Sequence, residues 1–252
     1  MFLPVLTSFA GAQIFGESYG TGKPVVLALH GWRRDHRDFT AMLTTPAPGL
    51  DAIAVDLPGF GGTPPPAEAW GSKRYAEALL PVLADMQDRV VVIGHSFGGR
   101  VGVHLAGIAP DRVAGLVLTG VPLFRATDAP SRSPFPFRLV KNLAGRGLVS
   151  QELLERYRQK YGSDDYRAAT GVMRDVLVTL VGESYGDALS NVVCPVEMVW
   201  GGTDTVAPVV ITSKINAALP HGANLVVCDG AGHMMPTSAP GELRAAIERL
   251  LP

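Results

Sequence analysis

The residue that first invites a chemical reading is Ser96, in the stretch VVVIGHSFGGRVG from Val90 to Gly102. Four apolar residues, Val90-Val91-Val92-Ile93, lead into Gly94-His95-Ser96-Phe97-Gly98, and Gly99 precedes a helix-compatible run from Arg100 to Ala109. An apolar run this short suits a strand buried on both faces of a parallel sheet. A serine at its end, in a sharp turn into a helix, needs glycine on either side because the turn leaves no room for side chains. Such a turn holds the hydroxyl above the sheet edge, and the following helix aims its free N–H groups at whatever is bonded to Ser96. The pattern is G-x-S-x-G in a strand–turn–helix setting, and the chemistry it offers is attack by a serine oxygen.

A serine hydroxyl is a weak nucleophile at neutral pH and needs a histidine base, itself held in one tautomer by a carboxylate. Six histidines compete. His30 lies beside a candidate oxyanion loop, and His95 adjoins the serine but is expected to point away from it. His104 falls in the helix after the turn, while His36 and His221 sit in polar, loop-like contexts. His233, in Gly230-Ala231-Gly232-His233, follows a late strand at the C-terminal sheet edge, where open α/β sheets bind ligands, and is the expected base. Asp204, in Gly201-Gly202-Thr203-Asp204, follows another strand at the same edge and is the expected carboxylate. Asp128 is the reserve candidate, and Asp56, in Asp-Leu-Pro-Gly, reads as a turn stabiliser. A tetrahedral intermediate also needs two hydrogen-bond donors for its oxyanion. One is the backbone amide of Phe97, at the helix N-terminus. The other is expected from Trp32, in His30-Gly31-Trp32 after the strand Val25–Leu29, where Gly31 lets the backbone approach closely.

These residues need a scaffold, and the chain supplies one. Short apolar strands at Val25–Leu29, Ala52–Val55, Val90–Ile93, Val113–Thr119, Val196–Trp200 and Asn224–Cys228 alternate with helical patterns at Asp35–Thr45, Ser72–Asp85, Arg100–Ala109, Val209–Leu219 and Glu242–Leu251. That alternation predicts right-handed crossovers and a mostly parallel sheet. Val5 to Tyr19 predicts two short antiparallel strands at the sheet's edge, and the N-terminus lacks the positive region of a signal peptide. Between Pro122 and Val192 the β-like runs stop. Leu154, Tyr157 and Tyr161 share one helical face, and Tyr166, Ala169, Met173, Val176, Leu177 and Leu180 form a longer stripe. The 252 residues carry 47% hydrophobic and 18% charged side chains with a net charge of −1, so nothing points to nucleic acid or an anionic membrane. No apolar stretch approaches the roughly 20 residues of a membrane span. Cys194 and Cys228, each beside an apolar strand, read as buried free thiols in keeping with a reducing cytoplasm, and no Cys/His cluster has metal-ligand spacing.

Taken together, His30-Gly31-Trp32, Asp56-Leu57-Pro58-Gly59-Phe60-Gly61, Gly94-His95-Ser96-Phe97-Gly98-Gly99, Trp200-Gly201-Gly202-Thr203-Asp204 and Gly230-Ala231-Gly232-His233 resemble the α/β-hydrolase superfamily from about Val25 to the C-terminus. The resemblance implies the α/β-hydrolase fold, with a mostly parallel central sheet flanked by helices and a helical lid inserted after the sixth strand. Residues 1–121 and 193–252 would form the core and 122–192 the lid. Ser96, Asp204 and His233, in the chain order expected of that fold, would form a catalytic triad, with the Trp32 and Phe97 amides as oxyanion hole. Ser96 argues against the branches of the superfamily that use an aspartate nucleophile. The expected function is a carboxylesterase acting on small apolar esters, with no metal or organic cofactor. Two alternatives use the same fold. One is a carbon–carbon bond hydrolase of a diketone acid, which wants a cationic anchor such as Arg33, Arg34, Arg100 or Arg125. The other is a ligand receptor with little turnover. Phe124, Phe135, Phe137, Leu139, Tyr157 and Met173 are the candidate pocket residues of the lid.

Overall fold

The computed structural model describes residues 6–45, 49–125, 142–144, 146, 148–161 and 163–251. Eight strands form one sheet: β1 (Thr7–Phe9), β2 (Ile14–Tyr19), β3 (Val26–Leu29), β4 (Ala52–Asp56), β5 (Val90–His95), β6 (Val113–Thr119), β7 (Val196–Gly201) and β8 (Asn224–Cys228), in the order β1-β2-β4-β3-β5-β6-β7-β8. β2 pairs antiparallel with β1 and β4, and every other pairing is parallel. The α/β-hydrolase fold expected from the motifs is therefore present.

Period-two alternation builds a core on each face. Leu27, Leu29, Ile53, Val55, Val92, Leu116 and Leu118 pack with Tyr75 and Leu79 of α2 (Ser72–Leu79) and with Val101 and Leu105 of α3 (Phe97–Ile108). Val26, Ala28, Ala52, Ala54, Val91, Ile93 and Val117 pack on the other face, with Met42 and Leu43 of α1 (Thr40–Thr44) and Leu243, Ala246 and Ile247 of the closing helix Pro240–Leu250. A buried Val, Leu or Ile contributes about 1.5–3 kcal/mol, which explains why the central strands tolerate no polar residue until their C-terminal ends.

Several boundaries differ from expectation for local reasons. The helix predicted over Ser72–Asp85 is α-helical only to Leu79 and continues as a 3-10 turn through Asp85, because Pro81 supplies no backbone donor. The one predicted over Asp35–Thr45 starts as a 3-10 turn at His36–Phe39, capped by the Asp35 side chain on the Arg37 amide. β8 is an edge strand with Leu225 and Val227 about two-fifths exposed, so Cys228 is half-buried, unlike the buried Cys194.

Between β6 and β7 the described helices are Gln151–Tyr161, Asp164–Ala168, Gly171–Gly182 and Gly186–Ser190. The stripe from Tyr166 to Leu180 is not one helix. It breaks at Ala169 and Thr170, both extended, and Arg174 Nε donates to the Ala169 carbonyl there at 2.9 Å. Arg100, on α3, ties down the start of this segment and the helix Gly171–Gly182: its Nη1 donates to Leu180 O at 3.1 Å and its Nη2 to Pro122 O at 3.0 Å. Phe135, Phe137, Leu139 and Asp128 lie outside the described residues. Among the described residues no helix is long and apolar enough to cross a membrane.

Candidate active site

Ser96 sits between the end of β5 and the start of α3, with φ 50° and ψ −111°. Positive φ is uncommon for a residue with a β-carbon and marks a strained turn of the kind found at functional sites. Its amide donates to Thr119 O at 3.0 Å, which docks the turn on the end of β6. The turn is also tight against β3, since a β-carbon at Gly98 would collide with the Leu29 carbonyl.

The next two strand ends carry the acid and the imidazole. After β7, the amide and the hydroxyl of Thr203 both donate to Ala231 O at 2.9 Å, joining the β7 and β8 loops. Asp204 is buried at 4% exposure, and its Oδ1 accepts the amides of Val206 and Ala207, each at 2.8 Å. Its Oδ2 lies 2.8 Å from His233 Nδ1. Burial alone would push the Asp204 carboxyl up, but the His233 bond and the two amides outweigh it and hold the group below the usual carboxylate range. A carboxylate can only accept, so Nδ1 carries the proton and Nε2 is left as an acceptor. The imidazole packs beside Gly120, the residue after Thr119, where a β-carbon would lie 3.1 Å from Nδ1.

The loop after β3 completes the surroundings. Leu57 N–H donates to His30 Nε2 at 2.9 Å, so the proton is on Nδ1, which donates to Gly31 O at 2.7 Å. Burial lowers the His30 pKa and keeps the ring neutral. In a trans peptide the N–H points opposite the C=O. Holding Gly31 O toward His30 therefore turns the Trp32 N–H away from that ring. A β-carbon at Gly31 would lie 3.5 Å from Ser96 Cβ, which puts this backbone against the serine. Neither the Trp32 nor the Phe97 amide donates to a backbone acceptor among the described residues.

Of the five residues singled out in the sequence, Asp204 and His233 are bonded to each other, Ser96 stands at the end of β5 against the Gly31 backbone, and the Trp32 and Phe97 rings meet edge-on. Asp56 does more than stabilise its own turn. Oδ1 accepts the His36 amide and Nδ1, both at 2.8 Å, and Oδ2 accepts the Gly62 amide at 2.8 Å, stapling the β3 and β4 loops. Asp35, His36 and Asp56 also cluster closely enough for a cation. Their donor set is already committed, however, since Asp35 takes the Arg37 guanidinium. Of the arginines considered as anchors, Arg34 grips Asp38 and Arg100 the two carbonyls above, while Arg33 pairs with Asp165 at 3.5 Å and Arg125 is exposed.

The apolar surroundings were only partly foreseen. Trp32 meets Phe60 edge-on at 4.9 Å and Phe97 at 5.6 Å, and Tyr75 meets Phe97 at 5.0 Å. Phe124, Trp70 and Met173 are half-buried against the same core, with the Met173 sulfur against Gly59. Tyr157 belongs elsewhere, packing with Leu154 and Ala144. Phe60 and Trp70 stand in Pro/Gly-rich loops without periodicity, so only their aromatic character could have flagged them.

A family model described as the alpha/beta hydrolase family matches residues 25–246. The chain belongs to that family. Among curated relatives of this hydrolase, a pimeloyl-[acyl-carrier protein] methyl ester esterase of Aromatoleum aromaticum is 29% identical, over 90% of this chain and 97% of its own. Lipase LipV of Mycobacterium tuberculosis is 31% identical, over 93% of this chain and 96% of its own. Among solved structures, a thermophilic esterase from Thermogutta terrifontis superposes on the hydrolase with a TM-score of 0.67 at 21% identity, covering 98% of this chain and 97% of that one.

Proposed function

We propose that the chain is a serine carboxylesterase acting on a small, apolar ester. The observation that carries this reading is the 2.8 Å Asp204–His233 bond, which leaves Nε2 an acceptor beside the strained Ser96 turn. As Ser96 Oγ bonds to the acyl carbon, its proton passes to His233 Nε2, and Asp204 stabilises the imidazolium that forms. The carbonyl oxygen becomes an oxyanion held by the Trp32 and Phe97 amides. Collapse expels the alcohol, which takes the proton from His233 and leaves an acyl-Ser96. Water then adds by the same route, releasing the acid and returning the proton to Ser96. No step calls on a metal or an organic cofactor. The aromatic edges of Trp32, Phe60 and Phe97, with Met173 of the 122–192 segment as a lid above Gly59, favour an apolar acyl or alcohol group. The esterase and lipase relatives support the ester bond. A diketone acid is the less favoured substrate, since Arg34 and Arg100 are spent on internal partners.

Hydrolysis of p-nitrophenyl acetate, butyrate and octanoate by wild type and Ser96→Ala, with fluorophosphonate labelling in parallel, tests the proposal. Turnover of the short esters, lost together with labelling in Ser96→Ala, is the expected outcome. Labelling of Ser96 without ester turnover would redirect the same residues to a carbon–carbon bond, and no labelling would refute the catalytic reading.

A further inference from the structure

His95 ends β5 with 1% exposure, on the sheet face opposite the α2–α3 layer. Its Nε2 lies 2.9 Å from the backbone carbonyl of His233, which also accepts the Met235 amide at 2.9 Å. A carbonyl only accepts, so Nε2 carries the proton. Nδ1 is buried and has no partner among the described residues, and a β-carbon on Gly31 would lie 2.9 Å from it. A second proton there would be a buried, unpaired donor, so the ring is the neutral Nε2–H tautomer. The ionisable groups that face it are His233, Asp38 and Asp204, and Asp38 is already held by Arg34. Burial first, and the nearness of His233 second, push its pKa down to about 4.

Ser96 and His233 belong to separate segments, and the Asp204 bond alone leaves the imidazole able to rock about Nδ1. We infer that His95 is a positioning residue for the proposed proton transfer: its Nε2–H clamps the main chain of His233 to the residue that precedes Ser96. One ring thereby sets the base against the nucleophile. Its neutrality matters as well, since the two imidazole centroids are 4.9 Å apart and a charge on one would oppose the imidazolium forming on the other.

The inference rests on the catalytic reading above, and two variants separate them. His95→Gln keeps an N–H donor at similar reach, and His95→Leu removes it at similar size. With butyrate ester and a fluorophosphonate, His95→Leu should lose about five- to tenfold in kcat and labelling rate with KM within about twofold, and His95→Gln should regain most of that. Equal labelling rates in wild type and His95→Leu, or equal losses in both variants, would overturn the positioning role alone. Absence of labelling in wild type would overturn the catalytic reading and this inference with it. Should His95→Leu fail to fold, imidazole ¹⁵N spectra of the wild type at pH 7 decide, because an Nδ1–H tautomer at His95 contradicts the clamp and an imidazolium contradicts its neutrality.

Discussion

Gly120→Ala tests the proposed acid–base pair without replacing either of its residues. Gly120 has φ +58°, and a β-carbon there would lie 3.1 Å from Cε1 and Nδ1 of His233 and 3.2 Å from Asp204 Oδ2. Two costs follow. A left-handed backbone angle costs an L-residue about 1–2 kcal/mol, which for a chain of this size lowers Tm by roughly 2–8 °C. The contacts are also some tenths of an ångström inside ordinary carbon contact of about 3.5–4.0 Å, so one side must give way. Asp204 cannot, since it is buried and two amides hold Oδ1. The displacement falls on the His233 ring, and because a misplacement of about 1 Å costs roughly a hundredfold, half of that should cost about tenfold in kcat. Gly230→Ala is the control. Its φ is +77°, and nothing lies within 4 Å of its β-carbon, so the variant incurs the backbone cost and presses on nothing. Calorimetric melting and fluorophosphonate labelling rates should show similar losses of Tm in both variants and a tenfold loss of labelling only in Gly120→Ala. Equal labelling rates would refute the assignment of the Asp204–His233 pair to the chemistry.

Asp204→Asn should lower kcat by about ten-thousandfold, because the Val206 and Ala207 amides require the carboxamide oxygen at the Oδ1 position. The NH₂ then donates to His233 Nδ1 and drives the ring proton to Nε2, so a variant retaining even a tenth of wild-type turnover would contradict the tautomer argument. His36 and Asp56 make stability depend on pH. The Asp56 hydrogen bond raises the His36 pKa above 6.5, so its contribution is complete below pH 6.5 and fades as pH climbs through the raised value. Burial pulls Asp56 upward, but the His36 bond and the Gly62 and His36 amides hold it below 3.8, so its contribution is complete above pH 3.8 and fades as pH falls. The Tm difference between wild type and His36→Gln should therefore be largest between pH 4 and 6.5 and shrink at higher pH; a difference unchanged from pH 5 to pH 9 would contradict the pairing.

The inner sheet was legible because its strands are short apolar runs bounded by turn residues and spaced by helical patterns. Val90–Ile93 is all apolar with both faces of β5 covered, and Leu225–Cys228 of β8 is equally apolar although Leu225 and Val227 are about two-fifths exposed, so an apolar run does not by itself mark the edge strand. Helix ends were less legible, since they depend on single local conflicts. Pro81 turns the end of α2 into a 3-10 turn while leaving the hydrophobic spacing intact, and the break at Ala169–Thr170 interrupts a stripe whose period runs straight through it. Periodicity reports which side chains are buried and is blind to the one backbone bond that fails.

The site divides along the same line. The candidates Ser96, Asp204 and His233 could be proposed from sequence because the chemistry asked of them resides in side chains flanked by strand ends and turn glycines. The groups that hold them act on backbone atoms, which carry no sequence identity. His95 meets the carbonyl of His233, His30 that of Gly31, Arg100 those of Leu180 and Pro122, and Gly120 matters for a β-carbon it lacks. His95 reaches His233 because the parallel register pairs it with Thr119, at the end of β6 where Gly120 meets the imidazole. Such a meeting is fixed only when residues 138 apart in the chain are folded together. A residue adjoining a nucleophile and pointing away from it therefore should not be discounted on that ground, since on the far side of a sheet edge it can hold the base.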